Sequence, residues 1–327
     1  MVNRVVFTYA WVLLLLVACG AADKKGTDSC AWEMQPVSGK CDTLFIDTMD
    51  VKNPFITYDR QTDSYYMTGD GGNVWVSSDL VIWTGEYAVL MHDTASWVGA
   101  TPVIKSPEIH KFADKYYYTA NFEASGYCSC ATFVADNITG PYRSIDGGNF
   151  LLDENEKAAY PTFCSDVFGA GYMVYSNLGG ENGGVAVQIV LYNNDFRCRL
   201  GEAFVMLEPK SVPWLQKNGV APAIESPYVF NTGDDGLGML FVANNGDCRA
   251  VGVAYSESGT LNGPWIVEDE PLLKDVETVS MFNDYDGSPV MVVAKDTVMN
   301  GKTITVPKFV RTDLQFEKIR IKGYYKF

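Results

Sequence analysis

The chain has 327 residues, with 40 acidic against 25 basic side chains and a formal net charge of −15. Such a surface repels nucleic acid and anionic lipid, so binding to a phosphate backbone is excluded and a neutral partner, a polysaccharide or oligosaccharide, fits better. Hydrophobic residues make up 47%, enough for a large buried core.

The first element is an export signal. Arg4 supplies a positive start, Val5 to Val17 form an apolar run, and small residues follow at Ala18, Gly20, Ala21 and Ala22. The run is too short to anchor as a membrane span. Leu16-Val17-Ala18-Cys19 fits the bacterial lipoprotein box, in which Cys19 becomes the lipidated N-terminus. The alternative is cleavage near Ala21 and plain secretion. Residues 1–19 are thus read as signal, 20–44 as linker and N-terminal extension, and 45–327 as the folded domain. The expected address is the bacterial cell envelope, with the membrane reached only through the lipid. The sequon Asn137-Ile138-Thr139 would matter only in a eukaryote.

Without Cys19, seven of the eight cysteines remain, so at least one thiol is unpaired in an exported chain. Cys30 and Cys41 are placed to staple the start of the domain. Cys128 and Cys130 share one face of a strand, but the spacings that zinc requires are not met, and a structural role is expected. No metal and no cofactor are expected, and the chain is read as a monomer.

From Asn53 onward, short β-rich runs are broken by Gly, Asn, Asp and Ser, and helical periodicity is nearly absent. The runs repeat. Four modules open on proline, at Asn53-Pro54-Phe55-Ile56, Ser106-Pro107-Glu108-Ile109, Tyr160-Pro161-Thr162-Phe163 and Ser226-Pro227-Tyr228-Val229, and a fifth opens without it at Val279-Ser280-Met281-Phe282. The prolines stand 53, 54 and 66 residues apart. Each opener leads to a second apolar strand, such as Lys115-Tyr116-Tyr117-Tyr118 or Gly238-Met239-Leu240-Phe241. Each module closes on a polar turn before an aromatic, as in Asp79 to Trp83 and Asn262-Gly263-Pro264-Trp265. Five modules of this length predict an all-β, five-bladed β-propeller whose innermost strands, the openers, line one central funnel.

Asn53-Pro54-Phe55-Ile56 with Ser77-Ser78-Asp79-Leu80-Val81-Ile82-Trp83, Ser106-Pro107-Glu108-Ile109-His110 and Ile224-Glu225-Ser226-Pro227-Tyr228 together resemble glycoside hydrolase family 43. Val253 to Gly259 running into Gly263-Pro264-Trp265 extends the likeness, which covers about Asp50 to Phe316. The family comprises five-bladed arabinanases, xylosidases and arabinofuranosidases. The resemblance implies inverting hydrolysis by three carboxylates: a base, a general acid, and a third Asp that tunes the acid. Inversion needs two carboxyl groups roughly 6.5–9.5 Å apart, so that water fits between base and sugar. Position by position, the acid falls on Glu225, the base on Asn53 and the tuning residue on Tyr160. An amide is a poor proton acceptor and a phenol is no carboxylate, so hydrolysis is expected to be weak or lost.

Other residues near the openers carry two readings each. Glu108 and His110 either line the pocket or satisfy one another in the scaffold. Asp47 and Asp50 are candidates for a displaced base. Asp166 and Gly169 keep the later part of the tuning motif. Trp75, Trp97 and Trp214 are candidates for sugar stacking, against burial in blade cores. Three readings of the whole stay open: a non-catalytic glycan binder, a working glycosidase with a relocated base, and an interaction propeller with no sugar site.

Overall fold

The computed structural model describes residues 33–327 apart from 40, 92–95, 146–150, 154–155, 167–168, 180–183, 216–220, 234–235 and 248. The export signal, Cys19 and Cys30 lie outside the described residues. Glu33–Phe327 forms one unit, built of strands with short 3-10 turns at Ile46–Thr48 and Pro209–Ser211.

Five sheets follow one another along the chain, each made from one contiguous stretch and antiparallel throughout except that the short β7 pairs with β11 in parallel. Blade one holds β1 (Gln35–Pro36), β2 (Asp42–Phe45), β3 (Phe55–Asp59), β4 (Ser64–Thr68), β5 (Val74–Ser77) and β6 (Ile82–Ala88). Both β1 and β2 pair with β6, so the stretch ahead of residue 45 thickens the outer edge of this blade. Blade two holds β7 (Leu90–Met91), β8 (Val103–Phe112), β9 (Lys115–Ala124), β10 (Tyr127–Ala135) and β11 (Tyr142–Ser144). Blade three is β12 (Ala158–Ser165), β13 (Gly171–Asn177), β14 (Ala186–Tyr192) and β15 (Phe204–Leu207). Blade four is β16 (Ala223–Gly233), β17 (Gly236–Asn244), β18 (Arg249–Ser256), β19 (Trp265–Val267) and β20 (Leu273–Lys274). Blade five is β21 (Thr278–Asn283), β22 (Pro289–Met299), β23 (Lys302–Gln315) and β24 (Lys318–Tyr324).

The proline openers are the innermost strands. β3, β8, β12, β16 and β21 touch in that order, and β21 touches β3 again, which closes a five-bladed β-propeller. Closure uses packing, with no strand shared between the first and last blades.

Each of the five hydrophobic clusters is an interface between consecutive blades. Tyr66 and Val74 meet Ile109 and Tyr118 between blades one and two. Tyr117 and Cys130 meet Phe163 and Tyr175 between two and three. Val174 and Ile189 meet Ile224, Met239 and Phe241 between three and four, and Leu240 and Val253 meet Met281 and Val310 between four and five. At the seam, Phe282, Val292 and Phe309 of blade five meet Ile56, Met67 and Trp83 of blade one. Strand alternation explains why the second strands are apolar throughout. On β9, Tyr117 faces blade three while Tyr116 and Tyr118 face blade one, so both faces are buried.

Side-chain bonds reinforce the same interfaces near the axis. Thr57 Oγ1 donates to Ile109 O at 2.6 Å, Asn121 Nδ2 to Ala158 O at 2.6 Å, Ser226 Oγ to Val279 O at 3.1 Å, and Ser280 Oγ to Pro54 O at 3.4 Å.

Cys41 is a free thiol that donates to the Tyr87 hydroxyl at 2.8 Å. Cys130 is fully buried between blades two and three and Cys128 is partly buried near the Asn121 amide, which accounts for that pair structurally.

Phe309 is 2% exposed at the seam. Phe309→Ala is expected to lower the unfolding free energy in urea by about 3–5 kcal/mol, whereas Ile266→Ala, at a position 56% exposed, is expected to change it by less than about 0.5 kcal/mol.

Candidate functional site at the propeller axis

Four innermost strands carry the same device. The residue before the opening proline is left-handed in each: Asn53 (φ 50°), Ser106 (φ 49°), Tyr160 (φ 52°) and Ser226 (φ 52°). In β8, β12 and β16 the register with the second strand shifts at this place, which marks a bulge. Proline brings no N–H to the ladder and a left-handed residue turns its side chain out of the pleat. All four residues consequently line one pocket, together with Glu108 and Thr278. β21, without proline, pairs with β22 in continuous register. Asn tolerates the left-handed region well, and a bulky Tyr does so poorly, so the strain at position 160 is real.

The pocket encloses about 20 Å³, room for roughly one water molecule. A sugar ring does not fit there as the chain stands.

Glu225 lies one residue before the left-handed Ser226 of β16. Its Oε2 accepts from Arg249 Nη2 at 2.6 Å. The same guanidinium donates to Glu277 O at 2.8 Å, and its Nε stands 3.1 Å from Glu277 Oε2. Burial opposes the charge on Arg249, but Glu225 and Glu277 outweigh that and raise its affinity for its proton. Glu225 therefore serves as an acceptor in an ion pair, whereas a general acid has to donate.

Tyr160 stands beside this pair. Burial and then the charge of Glu225 push its hydroxyl up to about 12, against the pull of Arg249. The phenol stays neutral at any physiological pH.

At the base position Asn53 has a carboxylate for a neighbour. Its Nδ2 donates to Asp70 Oδ1 at 2.6 Å, and the Ser106 backbone N–H donates to the same oxygen at 2.9 Å. Asp70 thus ties Asn53 of blade one to Ser106 of blade two across the blade boundary.

Deeper along the axis, Glu108 Oε2 lies 2.7 Å from His110 Nε2. The Phe55 ring sits 5.0 Å from the His110 ring and Phe163 5.9 Å from it, between centroids. Burial raises the Glu108 carboxyl, with His110 opposing. The two predicted residues satisfy one another, and Glu108 also forms part of the pocket wall.

Several sequence-predicted residues lie elsewhere. Asp47 accepts from Lys308 Nζ at 2.6 Å, and Asp50 accepts from Thr305 N at 2.9 Å, so both point at blade five and neither is a displaced base. Asp166 caps the β12–β13 turn by accepting from Ala170 N at 2.9 Å, at the opposite end of the strand from Tyr160. Trp75 is 5% exposed within the seam cluster and is core rather than a sugar platform. Trp97 is half-buried, edge-on to Phe122 and Tyr127. Trp214 stacks on Phe241 and donates to Glu268 O at 3.3 Å.

Arg249 and Asp70 were not among the expected site residues. Arg249 carries a detectable signal, a lone cation opening the apolar run Ala250 to Ala254 in an acidic chain. Asp70 reads as an ordinary turn residue in Thr68-Gly69-Asp70-Gly71-Gly72.

The model of the family described as "Glycosyl hydrolases family 43" matches residues 46–292. No curated protein sequence matches the chain. Among solved structures, an endo-arabinase from Bacteroides thetaiotaomicron superposes with a TM-score of 0.74 at 20% identity, covering 84% of this chain and 98% of that one. An endo-1,4-beta-xylanase from the same organism gives 0.68 at 17% identity, covering 87% and 97%. An alpha-L-arabinanase from Cellvibrio cellulosa, complexed with arabinohexaose, gives 0.62 at 15% identity, covering 84% and 96%.

A carboxyl whose folded pKa is raised contributes stability that is fully present below its unfolded value, about 4.3, and lost as pH rises through the folded one. Glu108→Gln is accordingly expected to gain on the wild type, in urea midpoints, as pH goes from 4 to 8. A constant difference across that range would contradict the burial effect at Glu108.

Proposed function

Because the chain belongs to glycosyl hydrolase family 43, we propose that it is an exported propeller that binds arabinose- or xylose-type polysaccharide and hydrolyses it weakly or not at all. One observation carries this reading. Of the three positions where the family resemblance implies carboxylates, only Glu225 is a carboxylate, and it accepts from Arg249 at 2.6 Å, while the amide of Asn53 and the phenol of Tyr160 line a pocket of about 20 Å³. Losing a positioned base costs about 10²- to 10⁴-fold in rate. The absent carboxylate at the tuning position adds to that loss.

The polysaccharide class is supported by family membership and by folds shared with an arabinase and a xylanase. Calorimetry with arabino- and xylo-oligosaccharides is expected to show binding while reducing-end assays show little or no product. Rapid turnover of an aryl arabinofuranoside or xyloside, abolished by Glu225→Gln, would overturn the non-catalytic part. Absence of binding to arabinan and xylan would favour an interaction propeller.

A second reading is favoured by one contact, that between Asn53 and Asp70. If any hydrolysis is measured, Asp70 is the carboxylate nearest the base position, and Asp70→Asn is expected to remove it.

Restoring the carboxylates should restore rate only jointly. Asn53→Asp alone is expected to leave aryl-glycoside turnover at background, because Tyr160 still fills the tuning position. Asn53→Asp with Tyr160→Asp is expected to raise it by at least about 10²-fold, read by release of the chromophore.

The envelope address rests on the N-terminal run and its lipoprotein box. Radiolabelled palmitate is expected to enter the protein in a bacterial host and to be lost in Cys19→Ser; labelling of neither would favour plain secretion.

A further inference from the structure

Blade five carries a second concavity, of about 440 Å³, that shares no residue with the funnel. Its volume falls in the roughly 300–1,000 Å³ range of small-molecule sites. Lys295 on β22, Lys308 on β23 and Lys326 beyond β24 line it with Tyr324, Phe327 and Asp47. Asp47 balances Lys308 at 2.6 Å, which leaves the groove net positive on a chain of charge −15.

The aromatic part is exposed and held in place. Tyr324 is 39% and Phe327 53% exposed. Lys295 Nζ sits 5.4 Å from the Tyr324 ring centroid. Behind them, Tyr325 N donates to Phe309 O at 2.9 Å and its hydroxyl to Asp284 Oδ2 at 3.2 Å. The Phe327 ring packs 5.7 Å from Phe309 and 5.8 Å from Tyr325.

We infer that this groove binds an acidic oligosaccharide, one whose sugars carry carboxylates. The two halves of the groove ask for two features in one ligand. Lysines alone would suit any small anion, and exposed rings alone would suit any apolar or sugar face. A uronate offers both, a C–H face for the rings and a carboxylate for the ammonium groups. The acidic remainder of the surface repels such a ligand everywhere else, so the local positive field also selects the place of binding. Because the Phe327 ring packs on the buried Phe309, little ordering cost falls on it in binding. The inference rests on the carbohydrate reading above for its choice of sugar over other anions.

Calorimetry on the folded domain tests it with four probes: tri-galacturonate, the neutral galactotriose of the same linkage, inorganic phosphate and adenosine monophosphate. Tri-galacturonate is expected to bind, to weaken with added salt, and to lose about tenfold in affinity in the Lys295→Ala/Lys326→Ala double variant and in Tyr324→Ala. Thermal melts of those variants should match the wild type, since the altered side chains are at the surface. Equal binding of the neutral trisaccharide, equal competition by phosphate or adenosine monophosphate, retained affinity in the variants, or no binding of tri-galacturonate would each overturn it. Binding of neutral arabino- and xylo-oligosaccharides is scored separately: its failure removes the arabinose- and xylose-binding reading, whereas failure of the four arms here removes only the groove.

Discussion

A residue held left-handed directly ahead of a proline cannot continue a β-ladder, and the axis of this propeller is organised around four such residues. At each, the chain leaves the pleat, the proline brings no N–H to the ladder, and the side chain turns inward. Asn53, Ser106, Tyr160 and Ser226 are for that reason one structural position occupied four times. Whatever chemistry the ring performs is decided by what stands there and by the residue on either side. Here the occupants are an amide, two hydroxyls and a phenol, with Glu225 and Glu108 as the flanking carboxyls.

The electrostatics follow from that choice. Tyr160 lines the pocket, and Glu225 pairs with Arg249, which reaches across to Glu277 on the next blade. Removing one member of this part-buried group leaves a charge without its partner, which is costly. Glu225 thus acts as an acceptor in this ion pair. Asp70 performs a similar service on the other side of the ring by holding Asn53 and the Ser106 amide with one oxygen.

Most of the architecture was legible in the residues because proline, tyrosine runs and polar turns recur at blade spacing, and each has a local physical cause. The line-up of Asn53, Tyr160 and Glu225 was legible for the same reason: all three are fixed relative to a proline. What could not be read was pairing across blades. Arg249 finds Glu225 and Glu277 only because β18 runs beside β16 and blade five packs alongside, and nothing local to Asp247-Cys248-Arg249 announces that. Trp75 was ambiguous for a related cause. In a blade both strand faces are buried, so alternation says that a side chain points left or right but not whether solvent lies there. Asp47 and Asp50 stand close to Asn53 in sequence, but the turn at Ile46–Thr48 sends them towards blade five.

Because every blade is one contiguous stretch, the peptide chain spans four of the five interfaces and leaves the seam between blades five and one without a covalent bridge. The Thr57–Ile109 bond closes a loop of 52 residues, whereas the Ser280–Pro54 bond closes one of 226. That is about two doublings of loop length, roughly 1 kcal/mol of additional closure entropy. The seam is thus the joint with the larger closure entropy, offset by its packing and by bonds such as Val51 N to Thr305 O at 2.8 Å. In chain connectivity the propeller is a split ring, and Asn53 stands beside the split.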